Sequence, residues 1–97
     1  MPASAVAFES FSVADGLPGQ NLRDVAIDVV TLGGVTREVA WVASNGGLGR
    51  VDASVPVASG LTVADGLPSN DCRSVAVDAA HTKWVGAGNG VFIYQGL

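Results

Sequence analysis

The residues best suited to chemistry come in pairs. Arg23 and Arg73 stand fifty positions apart, and so do Asp28 and Asp78. A guanidinium is a planar fork of N–H donors, so a repeated set of them would gather an anion or a carboxylate. Gln20 and Asn21 precede the first arginine, and Asn70 and Asp71 the second. They are the natural neighbours of such a ligand. Local pairing is the alternative, with Asp24 or Asp71 holding an arginine at its turn. Paired carboxylates could instead do acid–base work, but Asp28 and Asp78 fall in different copies and have no matched His or Lys. A carboxylate that accepts from backbone N–H groups two residues on is the simpler role for each.

The remaining candidates are weaker. His81 is the single histidine, set in a turn with no cysteine cluster beside it, and reads as a solvent-facing turn residue rather than a metal ligand or base. Cys72 is the single cysteine, which excludes an internal disulfide framework. The glycines at 86, 88 and 90 look like a phosphate cradle, but such a loop needs a helix after it, and a hairpin turn fits better. No metal, cofactor or catalytic centre is expected.

What positions these residues is a repeat. Residues 11–28 match residues 61–78 at 10 of 18 positions, too densely for chance. The copies then differ in length. From aspartate to tryptophan is 13 steps in the first copy and 6 in the second, so the first carries seven extra residues around Leu32, Gly33, Gly34 and Val35. From Trp41 and Trp84 onward they align again. Cys72 occupies the place of Leu22, which makes it a packing residue. Trp41 and Trp84 occupy one strand position, flanked by valine, and read as core residues between sheets. Stacking a sugar is their alternative role.

Each copy reads as short strands bounded by turn residues: 22–28 and 72–78, 39–43 and 83–87, 48–52 and 91–95, with 8–13 and 57–63 as fourth strands. Asn45, Gly46 and Gly47, like Gly88, Asn89 and Gly90, suit tight hairpins. No helical period runs long enough to matter. The expected fold is all-β: two four-stranded β-propeller blades in residues 1–97, repeat 1 at about 8–56 and repeat 2 at about 57–97.

The repeat resembles the two-component regulator propeller repeat. The matching residues are Asp65, Gly66, Leu67, Pro68, Ser69 and Asn70, then Asp78, Trp84, Asn89 and Gly90. The first copy keeps Asp15, Gly16, Leu17 and Pro18, then Asp28, Trp41, Asn45, Gly46 and Gly47. It departs at Gly19 and Gln20 and in the insertion. Where that family often has Trp-Ile-Gly-Thr, this chain has Trp-Val-Ala-Ser and Trp-Val-Gly-Ala. The resemblance implies a sensory propeller, of the kind that in hybrid two-component sensors has many blades and accompanying signalling domains. It implies nothing specific about a ligand.

Composition points the same way. Charged residues make up 14% of the 97, and hydrophobic ones 48%. That excludes a disordered chain. Five scattered Lys and Arg form no basic patch for nucleic acid, and no apolar run is long enough for a membrane helix. The N-terminal residues lack a positive segment and Glu9 breaks their apolar run, so they do not read as a secretory signal. A cytoplasmic chain, or a periplasmic one without its leader, is compatible with this. A domain this small with so few charges buries surface elsewhere. Two blades satisfy one interface and leave two apolar faces, so the expected partner is other copies of the chain. Three copies would close six blades, and four would close eight. The first strand of one copy would complete the last blade of the next. A piece of a longer propeller, or a lectin-like ring for glycans or another small molecule, is the alternative. In a ring, Arg23 and Arg73 would recur around the channel mouth with Gln20, Asn21, Asn70 and Asp71.

Overall fold

The computed structural model describes residues 10–52 and 57–96. They form two antiparallel sheets. In the first, β1 (Leu22–Leu32), β2 (Val35–Ser44), β3 (Gly47–Asp52) and β4 (Val57–Leu61) pair in chain order. In the second, β5 (Cys72–Val77), β6 (Lys83–Ala87) and β7 (Gly90–Tyr94) do the same. The expectation of two four-stranded units therefore holds for the first sheet. The second has three strands among the described residues. The strand that opens the second sequence repeat, β4, pairs with β3 and completes the first sheet.

The seven extra residues do not form a loop. They lengthen the β1–β2 hairpin past Asp28 and Val39 up to Leu32 paired with Val35. Gly33 and Gly34 make its two-residue turn at φ 59° and 80°, the left-handed region a primed hairpin turn needs. In the shorter copy Asp78 turns the chain straight into β6.

Of the strand expected at 8–13, residues 8 and 9 lie outside the described residues. Residues 10–12 are not strand, and Val13 opens a 3-10 turn, Val13–Asp15. The second copy does the same at Val63–Asp65, which ends β4 at Leu61. In both, the aspartate of the Asp-Gly-Leu-Pro motif caps the turn: Asp15 Oδ2 accepts from Ser12 N at 2.9 Å, and Asp65 Oδ2 from Thr62 N at 3.0 Å. The chain then brings Pro18 down onto β4, where Gly60 has no side chain in its way.

The core is the seam between the sheets. Alternation puts Ala26, Trp41, Ala43 and Leu48 on one face of the first sheet. Against it stand Cys72, Val75, Val77, Val85, Phe92 and Tyr94 of the second. Trp41 is 1% exposed and meets Tyr94 at 5.4 Å between ring centroids, tilted by 58°. Cys72 is buried as a packing residue, although its counterpart Leu22 is exposed, and burial pushes its thiol pKa up. Trp84 differs from Trp41. It lies on the far face of the second sheet and is 48% exposed, so only one of the two tryptophans is a core residue within the chain.

Candidate functional site

Polar residues gather at both ends of this seam. At the end where the inner strands start, each sheet has a register shift, between Leu22 and Asp24 in β1 and between Cys72 and Ser74 in β5. The residues skipped are Arg23 and Arg73. A bulge re-aims the side chain it carries, and both guanidiniums reach Asp71. Arg23 Nη1 donates to Asp71 Oδ1 across the seam. Arg73 donates to Oδ2 through Nε at 3.2 Å and Nη2 at 2.9 Å. The hydrogen bond from Arg23, then that from Arg73, holds the Asp71 carboxyl below its usual range. Asp24 ties the same end together, since its Oδ2 accepts from Val75 N at 3.1 Å.

The other expected site residues serve the turns around this cluster. Asn21 N donates to Asn45 Oδ1 at 3.3 Å, and Asn70 Oδ1 accepts from Val63 N at 2.8 Å. Gln20 is exposed beside Phe11 and Leu22. Arg23, Asp71 and Arg73 thus come together, while Gln20, Asn21 and Asn70 stand around them as loop residues. Two guanidiniums share one carboxylate in a solvent-facing cluster, and Asp24 brings the charge of this end to balance.

The opposite end holds a group the repeat comparison did not bring together. Asp28 is 2% exposed and faces the second sheet. His81 Nδ1 lies 2.5 Å from its Oδ1, and Lys83 Nζ lies 3.1 Å from its Oδ2. Asp28 therefore has both a histidine and a lysine, and it is not the backbone turn cap expected of it. Asp78 is that cap. Its Oδ1 accepts from Ala80 N at 2.8 Å and Thr82 N at 3.0 Å. The reason is topology: Asp78 sits at a turn, whereas β1 runs on through Asp28 and directs its side chain into the seam. His81 is a turn residue as expected, at φ 66°, and its ring is half exposed. Its Nδ1 nevertheless belongs to Asp28, which as a carboxylate can only accept, so the proton sits on Nδ1.

Lys83 is fully buried. It donates to Gly96 O at 2.7 Å and lies 4.8 Å from the centroid of the Trp41 ring. Burial raises the pKa of Asp28, but hydrogen bonds from His81 and Lys83 outweigh it and hold the carboxyl below its ordinary value. One sequence signal for this group was Lys83 itself: a lysine inside an apolar strand where the first copy has Ala40.

Beside this group is a small cleft of about 30 Å3, lined by Asp28, Val30, Arg37, Val39, Trp41, Arg50 and Asp52. Strand pairing places them on one face: Val30 opposite Arg37, Val39 between Asp28 and Asp52, Trp41 opposite Arg50. Arg37 Nη1 reaches Asp52 Oδ2 at 3.5 Å. Among the described residues, no group of three or more His, Cys, Asp or Glu side chains is placed to hold a metal ion. No family model, curated protein or solved structure matches the chain.

Proposed function

We propose that this chain is a non-catalytic assembly and binding module. Its copies pack head to tail into a closed propeller of six or eight blades, which presents loops around a channel mouth. One observation carries the reading. The face that the first sheet turns into the seam, through Ala26, Trp41, Ala43 and Leu48, recurs by repeat position as Ala76, Trp84, Gly86 and Val91. Those residues lie on the solvent face of the second sheet, where Trp84, Val91 and Ile93 are exposed. The converse holds as well. Cys72, Val75 and Val77, on the second sheet's seam face, correspond to Leu22, Val25 and Ile27. These are exposed on the outer face of the first.

Each free face is therefore the counterpart of a face already packed, and the two are complementary to one another rather than each to itself. A second copy placed so that its first sheet covers Trp84 would repeat the existing seam. Repetition of a head-to-tail contact closes a ring if its rotation permits. The resemblance to regulator propeller repeats agrees with this, and suggests sensing or scaffolding as the use of the ring. In it, Arg23, Asp71 and Arg73 would recur around the axis. The open edge of β7 would accept the N-terminal segment of the next copy.

Native mass spectrometry tests the proposal. A trimer or tetramer at micromolar concentration is the expected result, with the trimer first. Deletion of residues 1–13 is expected to yield lower oligomers or aggregate. A sharply monomeric full chain overturns assembly, and a truncated chain that keeps the full mass state overturns strand donation alone.

A further inference from the structure

Two buried donors have no acceptor among the described residues: Nε1 of Trp41 and Nε of Arg50. Both residues line the cleft beside Asp28. The second repeat shows why the first of these is unusual. There the equivalent indole is satisfied, because Trp84 Nε1 donates to Asp78 Oδ2 at 2.9 Å. In the first repeat the equivalent carboxylate is drawn across the seam, with one oxygen on His81 and the other on Lys83. Trp41 keeps the donor and has lost its acceptor. An unmet buried donor costs about 1–3 kcal/mol, and here two of them line one small cleft.

We propose that this cleft binds a hydroxyl group of a neutral polyol or sugar. The missing partner must accept, because both orphaned atoms are N–H groups. Its size follows from the cleft, which has room for one oxygen and not for the two of a carboxylate. The wall carries carboxylates, Asp28 on Lys83 and Asp52 on Arg37, for a hydroxyl proton to meet. A hydroxyl satisfies both requirements, since its oxygen accepts twice and its proton can go to a carboxylate. The space of about 30 Å3 takes one oxygen-sized group. The rest of the ligand then lies outside, at the cleft's margin by the part-exposed Arg37 side chain. All seven lining residues belong to the first sheet of one chain, so the inference does not depend on ring closure.

The test follows the two indole Nε1–H resonances of the 15N-labelled full chain, assigned with Trp41→Phe and Trp84→Phe. Glycerol, D-glucose and myo-inositol are titrated in, with sodium acetate as the anion. A saturable shift at the Trp41 resonance with at least one neutral polyol is expected, with Trp84 unmoved. Arg50→Met keeps the length of the side chain and removes its donor. It is expected to weaken that binding at least tenfold while the Trp84 resonance stays in place as a check on the fold. Acetate as the sole binder overturns the proposal. So does a Trp41 resonance that shows contact with water and no polyol shift, which marks a structural water only.

Discussion

Asp28 and Asp78 are the same residue of the same repeat, and their surroundings make them different groups. Asp28 is the acceptor of a buried lysine, and removing it leaves Lys83 with Gly96 O and the Trp41 ring and no paired charge among the described residues. Breaking one side of a buried ion pair is costly because the other charge stays desolvated. Asp28→Ala is expected to lower unfolding stability by about 3 kcal/mol in a denaturant titration, and Asp78→Ala by less. The pH dependence has a definite sign. The folded pKa of Asp28 is lowered from an ordinary value of 3.8. Its contribution is therefore complete above that value and is lost as pH falls through the folded pKa. The stability curve of Asp28→Asn should be flatter than that of the parent below about pH 4. This partnership was hidden in the sequence. Asp28 lies 53 residues before His81, which stands next but one to Lys83, and the repeat comparison equates Asp28 with a true turn cap. The arginine cluster was legible in part: Arg73 with Asp71 is a local pair at one turn, whereas Arg23 reaches the same carboxylate only because the two sheets pack.

At the scale of elements, strand order and hairpin positions could be read directly, and boundaries were misjudged where one copy was used to trim the other. Residues 29–32 and 35–38 simply continue the β1–β2 ladder. A comparison with the short second copy stops at Asp28 because Asp78 stops there. What the comparison does identify is the turn motif that packs Pro18 onto Gly60. A Cβ built on Gly60 would stand 2.6–2.9 Å from the Pro18 ring carbons. Gly60→Val should therefore cost about 1–3 kcal/mol, as overpacking does. Combined with Pro18→Ala, which removes part of the obstructing ring, it should cost less than the sum of the two single changes. Contacting residues are non-additive in that way, and an additive result in a thermal or denaturant double-mutant cycle would mean that Pro18 does not set the limit at Gly60.

At the scale of the whole molecule, the proposed assembly would give the chain's sparse charge a physical reason. Leu22, Val25 and Ile27 are exposed on one side, and Trp84, Val91 and Ile93 on the other. In the proposed assembly these apolar patches on opposite faces are the contact surfaces. A two-fold contact would pair each patch with itself, whereas the repeat register pairs one with the other. The two arrangements differ in a mixing experiment. Ile27→Glu blocks the outer face of the first sheet and leaves Trp84 intact, and Trp84→Glu does the reverse. For head-to-tail packing, each variant alone should fall to monomer in native mass spectrometry. An equimolar mixture should form a heterodimer held by the one remaining unaltered interface, and should grow no further because both its ends carry a buried-face glutamate. For two-fold packing, each variant would still pair through its unaltered face without the other. The mixture thus reads the polarity of the contact, which decides between a ring and a simple dimer.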